Sequence, residues 1–588
     1  MRRFFVRLFA LIGLVSFLVV LGIAGLIVLV ARSGGSASLP DSIVLTADLS
    51  GGLSDVSDPD TMSRLLFGQK NTLRDFVDAV DRAADDPRVK ALYVQLGGDS
   101  LGLAKTQQVR DTIAAFRAKG KYAVAFADTF GEGGPGTRPY YLATACDEIW
   151  LLPLGVVGLT GLRSETPFFR GLFDKLGIAP DFEHREEFKT AMNSLTETKM
   201  TGPQREEIEA VLTSVSGQID SGIAASRKLA PDQVAALIDR APLTADEAQT
   251  LGLVTKIGYR DQAMGVARSH AGSGAKLVTF SRYLSAAGRP HASGSRIALI
   301  YGTGLITRGG NSAALDEREF TARAIGRAFA AASRDSDVRA IILRIDSPGG
   351  SATASETIWR YVEEARQRGK PVIVTMGDVA ASGGYYVATP ADKIVAEPAT
   401  LTGSIGVLGG KIVLGGLLKN IGVSTDAVER GANSGMFSVT SDFSPQARER
   451  LNAMLDDTYT GFKNHVANGR HMNADAVEAV AKGRVWTGEE AKQKGLVDAL
   501  GGYETALGLA REAAKLSADA PLDVVIYPRE RGLVATLLNR WRDDDDEERT
   551  QIGAFQRGLA ALRMVFAATV AAFDDPGLLR MPPIGEVR

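Results

Sequence analysis

A serine in front of two glycines is the residue whose setting most suggests catalysis. Ser382 stands in the segment MGDVAASGGYYVA, where Gly383 and Gly384 follow it. A strand-to-helix turn at Ser382 would expose its hydroxyl to a substrate. The helix N-terminus behind it would direct N–H groups toward a developing oxyanion. This pattern predicts a nucleophile for acyl transfer, with the N–H of Gly383 as one oxyanion donor. The plainer alternative is that Ser382 only caps the helix.

A second glycine pair precedes this serine, one predicted strand earlier. The segment RIDSPGGS ends an apolar run in Pro348, Gly349 and Gly350. Glycines at the carboxyl end of a strand can leave a backbone N–H facing a cleft. We therefore expect the N–H of Gly350 to be the second oxyanion donor.

A serine nucleophile needs a base, and histidine is scarce in this chain. Only five histidines occur, and the nearest one downstream of Ser382 is the distant His465. A Ser-His-Asp triad is therefore not expected. A lysine that burial keeps neutral is the remaining candidate for the base.

An internal repeat identifies that lysine and the elements that position it. Val89 to Leu96 matches Val338 to Ile345 at an offset of 249, and Tyr140 to Pro153 matches Tyr385 to Pro398 at an offset of 245. In both copies, short apolar runs alternate with helical patterns. This alternation predicts an α/β fold with a mostly parallel sheet, formed twice.

The two copies differ where chemistry is expected. At the position of Ser382 the first copy has Thr137, followed by an arginine and a proline in place of the two glycines. Conversely, the first copy has Lys189, in the segment FKTA, where the second has Ser434. The serine and the lysine lie in opposite copies, as expected for one site assembled between them. The alternative is that Lys189 is an ordinary solvated lysine.

The repeat also sets the expected domain boundaries. We predict a cytoplasmic tip and membrane anchor, a first copy with the lysine, a linker, a second copy with the serine, and a tail with a strand and helices. These regions are residues 1–35, 43–270, 271–295, 296–515 and 516–588.

The N-terminus carries the expected anchor. Residues 8–31 contain no charge, and Arg2, Arg3 and Arg7 precede them. This length suits a membrane-spanning helix better than a cleaved signal peptide, which is the alternative. The arginines place the N-terminus in the cytoplasm and the body on the outer side. Residues 564–573 are too short to span and suggest an amphipathic helix, while the acidic run at 542–549 suggests a solvated loop.

Composition excludes several function classes. The 588 residues are 45% hydrophobic and 23% charged, which is typical of globular chains. The formal charge of −2 gives no reason to expect nucleic acid as a partner. A single cysteine, Cys146, excludes an intrachain disulfide and a cysteine-rich zinc site. We expect neither a metal nor a cofactor.

The motifs resemble the signal peptide peptidase A (protease IV) family in its long, duplicated form. They are DSPGG, GDVAASGGYY and LTGSIGV in the second copy and FKTA in the first. The resemblance implies a Clp-protease and crotonase-like fold and a Ser/Lys dyad, with Ser382 as the nucleophile and Lys189 as the general base. It also implies that Ser404, in LTGSIGV, orients the lysine amine; the first copy has Leu159 there.

The same resemblance implies the biological setting. The expected substrates are cleaved signal peptides and other apolar peptides, hydrolysed through an acyl-enzyme. The expected location is the bacterial inner membrane, with one span and a periplasmic catalytic body, and the expected assembly is a homo-oligomer, a tetramer.

Other functions remain open at this level. A catalytically inactive membrane scaffold and a crotonase-like acyl transfer enzyme would share the fold. A Clp proteolytic subunit would need a histidine soon after the serine, and none lies between Ser382 and His465.

Overall fold

The computed structural model of this protein describes residues 38–56, 71–272, 274–309, 319–529 and 578–581. The expected anchor, the acidic run and the expected amphipathic helix lie outside these residues. Within the described ranges, every helix is too short or too polar to cross a membrane.

The first copy alternates strands and helices, as the sequence pattern predicts. Its strands are β1 (Ile43–Asp48), β2 (Val89–Leu96), β3 (Tyr122–Ala127), β4 (Glu148–Leu151), β5 (Val156–Val157), β6 (Ala179–His184), β7 (Leu243–Thr244), β8 (Lys256–Ile257) and β9 (Lys276–Thr279). Its helices are α1 (Leu73–Asp85), α2 (Leu103–Ala118), α3 (Thr137–Ala143), α4 (Arg170–Leu176), α5 (Asn193–Thr196), α6 (Gly202–Arg227), α7 (Pro231–Arg240), α8 (Ala245–Thr250), α9 (Arg260–Ala271) and α10 (Phe280–Ala287).

The second copy repeats this alternation and adds short strands around the predicted site. Its strands, with those that follow it in the chain, are β10 (Ser295–Thr307), β11 (Glu319–Thr321), β12 (Val338–Ser347), β13 (Gly349–Ser351), β14 (Val372–Ala381), β15 (Lys393–Ala396), β16 (Leu401–Gly403), β17 (Leu408–Val413), β18 (Val485–Thr487), β19 (Ala499–Leu500), β20 (Leu522–Ile526) and β21 (Leu578–Arg580). Its helices are α11 (Ala322–Arg334), α12 (Ala352–Gln367), α13 (Gly383–Ala388), α14 (Gly415–Asn420), α15 (Pro445–Arg470), α16 (Ala474–Val480), α17 (Gly488–Gln493) and α18 (Tyr503–Ala513).

The central sheets of the two copies match strand for strand. The first is parallel, in the order β8-β4-β3-β2-β1-β9. The second contains the parallel series β19-β15-β14-β12-β10-β20. Helices cover both faces of such sheets, which is why their strands are apolar almost throughout. The predicted α/β fold in duplicate is therefore observed.

The expected linker, residues 271–295, differs from the structure. Within it, β9 pairs in parallel with β1, and α10 buries Phe280 and Tyr283. The first unit therefore continues to the end of α10, at residue 287. Serine, glycine, alanine and proline residues in this stretch suggested a linker, although Phe280, Tyr283 and Leu284 lie at the spacing of a buried helix face. Likewise β20, assigned to the tail, is an edge strand of the second sheet.

The two copies are joined by a shared core and by a strand pair. The largest hydrophobic cluster runs from Phe76 in the first copy to Ile297 and Ile342 in the second. On the side where Lys189 lies, β6 of the first copy pairs antiparallel with β17 of the second. This strand pair brings the loop after β6 against the second copy.

Candidate active site

Ser382 occupies a strained turn between β14 and α13. Its backbone has φ 53° and ψ −114°, in the positive-φ region that favours glycine. The strained backbone is held by the Ser382 N–H, which donates to the Gly403 carbonyl at 2.8 Å. The side chain is fully buried and makes no capping hydrogen bond to α13. The alternative that Ser382 only caps the helix therefore does not describe this turn.

The side chain of Lys189 ends beside that hydroxyl. Its Nζ lies 2.8 Å from Ser382 Oγ, 3.0 Å from Ser404 Oγ and 3.0 Å from Ser404 O. Lys189 is 1% exposed, so the solvated-lysine alternative is wrong. The predicted nucleophile, base and orienting serine thus form one buried hydrogen-bonded group.

Backbone contacts with the second copy hold Lys189 in place. The N–H of Phe188 donates to the Lys482 carbonyl at 3.1 Å. Gly483 lies against the lysine, because a Cβ built there would be 2.5 Å from Lys189 N. Any side chain at position 483 would therefore displace the lysine backbone.

Burial sets the charge of the lysine. Removal from water disfavours the ammonium form, so the pKa of Lys189 is well below its ordinary value. The one opposing influence is Glu207, whose charge raises the lysine pKa. Burial in turn raises the pKa of Glu207 to about 8, although its carboxylate accepts a hydrogen bond from Val485 N at 2.6 Å. Both groups therefore favour their neutral forms.

The two predicted oxyanion donors lie next to each other. A Cβ built on Gly383 would be 3.2 Å from Gly350 N and 2.7 Å from Ser355 Oγ. Glycine at 383 thus lets the turn pack directly on β13, in addition to leaving space for a substrate backbone. Gly350 itself lies within β13, with Ile306 of β10 as one partner.

A strand from the C-terminal region lies along the other edge of β13. Residues 578–580 of β21 pair antiparallel with Gly349–Ser351, and the N–H of Met581 donates to the Pro348 carbonyl at 2.8 Å. β21 also contacts β17. The edge of β13 beside Ser382 can therefore take up an extended chain.

A partly buried cluster of charged residues connects the first copy to the segments that carry these groups. Lys105 Nζ of α2 lies 2.8 Å from Asp55, 2.7 Å from Asp346 and 3.3 Å from Asp378. Asp346 is the first residue of the DSPGG segment. Asp378 lies on β14, four residues before Ser382. Burial raises the pKa of Asp346 to about 6. Neither this cluster nor Glu207 could be predicted from the sequence, because single charged residues on separate segments resemble ordinary solvated side chains.

The first copy has no serine and lysine at the positions that correspond to the site. Thr137 opens α3, and its hydroxyl donates to the Gly161 carbonyl at 3.1 Å. Leu159 is buried where the second copy has Ser404, and Ser434, the counterpart of Lys189, is exposed. A cavity of about 150 Å³ remains beside Thr137. The described residues therefore contain the Ser/Lys group once.

One cluster could hold a metal ion. In the described part of the chain, Asp81, His291 and Glu504 are the group whose ligand atoms lie within 4.8 Å of one another. The cluster contains none of the predicted site residues.

The chain is similar in sequence to known proteins. A model of Peptidase family S49 matches residues 115–273 and 364–517. Protease 4 of Salmonella typhi is 31% identical over 542 residues, which are 87% of this chain and 84% of that protein. Protease 4 of Haemophilus influenzae is 31% identical over 509 residues, with coverage of 82% and 81%. Serine protease SPPA, chloroplastic, of Arabidopsis thaliana is 30% identical over 494 residues, with coverage of 83% and 71%.

Among solved structures, ClpP1 from Listeria monocytogenes superposes with a TM-score of 0.21 at 14% identity, over 36% of this chain and 94% of that one. This likeness is too weak to add to the assignment.

The α/β fold and these relatives define the class, a serine endopeptidase. Within that class the chain belongs to peptidase family S49. A crotonase-like acyl transfer enzyme and an inactive scaffold are correspondingly not favoured.

Proposed function

We propose that this protein hydrolyses peptide bonds with a Ser/Lys dyad in which Ser382 is the nucleophile and Lys189 the general base. The observation that carries the proposal is the 2.8 Å approach of Lys189 Nζ to Ser382 Oγ in a fully buried setting. Such a separation is within reach of direct proton transfer. The low pKa of Lys189 supports the same role, because only the neutral amine can accept a proton.

Acylation begins with a neutral Lys189. The amine has two N–H groups, which donate to Ser404 O and Ser404 Oγ, and one lone pair, which faces the Ser382 hydroxyl. As Ser382 Oγ attacks the peptide carbonyl carbon, its proton moves to Lys189 Nζ. Ser404 is thus the proposed positioning residue, since its contacts with Nζ direct the lone pair toward Ser382.

The tetrahedral intermediate carries its charge on the former carbonyl oxygen. The N–H groups of Gly350 and Gly383 are the proposed donors to this oxygen, and such a donor contributes about 2.7 to 4 kcal/mol in other enzymes. Lys189 then returns the proton to the leaving amine, and the C–N bond breaks. In the second half, water loses a proton to Lys189 and attacks the carbonyl carbon of the acyl ester. The bond between that carbon and Ser382 Oγ then breaks, Lys189 returns the proton to Ser382 Oγ, and the carboxylic acid product leaves.

The proposed substrates are cleaved signal peptides and other apolar peptides. The support is the resemblance to signal peptide peptidase A together with the uncharged segment at residues 8–31, which would tether the site beside membrane peptides. The proposed location is the bacterial inner membrane, with the catalytic body on the periplasmic side. The proposed assembly is a homo-oligomer, a tetramer by family resemblance.

An active-site-directed fluorophosphonate tests the dyad directly. The purified chain should be labelled once, on the peptide that contains Ser382, as mapped by mass spectrometry. The Lys189→Met variant should lose the labelling while remaining folded. Each unit of pKa lowering of a buried amine opposes folding by about 1.36 kcal/mol, so this variant should be at least as heat-stable as the parent. Labelling at another serine, or full labelling of Lys189→Met, would overturn the dyad.

A further inference from the structure

Three side chains that can bind a metal ion meet where the two copies are joined. Asp81 lies on α1 of the first copy, Glu504 lies in the first turn of α18 of the second copy, and His291 lies between α10 and β10. One oxygen of each carboxylate and one ring nitrogen of His291 lie within 4.8 Å of one another. None of the three residues belongs to the proposed dyad or to the proposed oxyanion donors.

His291 contributes a buried nitrogen that has no hydrogen-bond partner. Its side chain is 13% exposed, and within the described ranges Nε2 is buried without a donor or acceptor in reach. The distance from Nε2 to Glu504 Oε1 is 3.7 Å, which is too long for a hydrogen bond. Buried polar atoms are nearly always paired, so this nitrogen requires an explanation.

Asp81 is an acidic residue of α1 without a basic partner. Arg289 pairs with both Asp75 and Asp78 on the same helix. Asp81, one turn further along, forms no ion pair with a lysine or arginine in the part of the chain that the structure describes. At the 249-residue offset the second copy has Ala330. The carboxylate is therefore not a feature of the repeated scaffold.

The charges near Asp81 are mostly of its own sign. Burial, followed by the charge of Glu504, raises the pKa of Asp81 to about 6. Asp85 and Asp78 act in the same direction, and His291 acts against them. A cation between the two carboxylates would balance this negative charge.

The backbone that carries each of the three side chains is held by packing. Val80 and Tyr503, the residues before the two acids, are buried. The His291 carbonyl accepts a hydrogen bond from Val524 N at 3.0 Å. Ligand atoms lie about 2.0 to 2.2 Å from a zinc ion, and thus about 3.3 to 3.6 Å apart in a tetrahedron. Glu504 is 52% exposed, so its side chain is free to rotate and close the remaining distance.

We propose that Asp81, His291 and Glu504 bind a divalent transition metal ion of the zinc class, with water as the fourth ligand. An imidazole nitrogen with carboxylate oxygens suits Zn²⁺, whereas Mg²⁺ and Ca²⁺ prefer oxygen ligands alone. The ion holds α1, the segment before β10 and α18 together at one point. Because the ligands meet only when both copies are packed, the ion binds the folded chain and stabilises it. This role is structural and does not depend on the proposed dyad.

Calorimetric titration with ZnCl₂ tests the site on the purified full chain in detergent, without an affinity tag and after removal of metal by a chelator. The parent should bind one ion tightly per chain. His291→Ala should weaken this binding by more than about 100-fold, because loss of a residue behind a metal ligand already costs 10- to 100-fold.

The matched control is His471→Asn. His471 is an exposed histidine at the end of α15 with φ 54°, a left-handed conformation that asparagine tolerates. Zinc affinity should be unchanged in this variant. Equal affinity in the parent and in His291→Ala would mean adventitious surface binding and would overturn the proposal.

Two variants of nearly unchanged size remove the charges. Asp81→Asn and Glu504→Gln should each weaken zinc binding by at least about tenfold. Because Glu504 is half-exposed, Glu504→Gln should fold normally.

Thermal unfolding gives a second readout that does not require activity. Zn²⁺ should raise the Tm of the parent and of His471→Asn, and the Tm of His291→Ala should not respond. Mg²⁺ at the same concentration should leave every Tm unchanged. A parent whose Tm does not respond to Zn²⁺, or responds equally to Mg²⁺, would contradict the site. The same measurements in Ser382→Ala separate the metal site from the proposed peptidase chemistry, since that variant should keep the zinc response.

Discussion

Matching side chains in the two copies make the same scaffold contacts. The Tyr140 hydroxyl donates to the Leu253 carbonyl at 2.9 Å, and the Tyr385 hydroxyl donates to the Leu496 carbonyl at 2.9 Å. Thr244 and Thr487 each close a capping box with a glutamate. Contacts that hold the sheet and helices together are thus kept in both copies.

The residues of the proposed dyad, in contrast, each occur in one copy only. In the second copy, glycine after Ser382 allows the turn to pack on β13. In the first copy, Thr137 begins a helix and its hydroxyl donates to the Gly161 carbonyl. Lys189 lies in the first copy, in the loop after β6, the strand that pairs with β17 of the second copy. The proposed site is thus divided between two copies whose scaffold contacts match.

The largest expected effect is a difference in activity between substitutions at the two corresponding turns. Ser382→Ala should lower kcat/KM on an apolar peptide by more than about 10³-fold, because the nucleophile is lost. The matched variant Thr137→Ala, at the corresponding turn, should leave kcat/KM unchanged. Steady-state peptidase assays on both variants check this. Loss of activity in Thr137→Ala would mean that the first copy also takes part in the chemistry.

A smaller effect is expected from the residue that orients the lysine. Ser404→Ala removes one hydrogen bond to Lys189 Nζ and should lower kcat by about tenfold, equal to about 1.4 kcal/mol, with little change in KM. A purely structural role would change stability and leave the pH profile alone. The pH dependence of kcat is therefore measured with the same variant, and its rising limb should move.

The protonation state of Lys189 determines the expected dependence of activity on pH. Below its lowered pKa, Lys189 is protonated and cannot accept the serine proton, so activity should rise as pH increases through that pKa. Glu207→Gln removes the group whose charge raises the pKa of Lys189, so the rising limb should move to lower pH. The measurement is kcat/KM against pH for both proteins. A shift to higher pH would contradict the assignment.

The smallest expected effect concerns the shared scaffold. Tyr140→Phe and Tyr385→Phe each remove one buried hydrogen bond and should each lower the free energy of unfolding by about 1 to 2 kcal/mol. Thermal or denaturant unfolding measures both. Markedly unequal losses would show that the two copies differ in packing as well as in chemistry.

Several features of the site could be predicted from the sequence because the repeat supplies an internal comparison. The turn at Ser382, the pairing of that serine with Lys189 and the parallel α/β sheets all follow from the apolar runs and from where the copies differ. The linker prediction overlooked α10 because the helix has only 8 residues, so the helical spacing of Phe280, Tyr283 and Leu284 occurs once and does not repeat.

Sequence alone determined the residue types, their strand and helix context and the division of serine and lysine between the copies, because these depend on local pattern. The deep burial of Lys189, its proximity to Glu207 and the contacts of Lys105 come from tertiary packing. Lys105 pairs with Asp55, Asp346 and Asp378. Burial and charge contacts depend on segments far apart in the chain, and no local pattern records which of them meet.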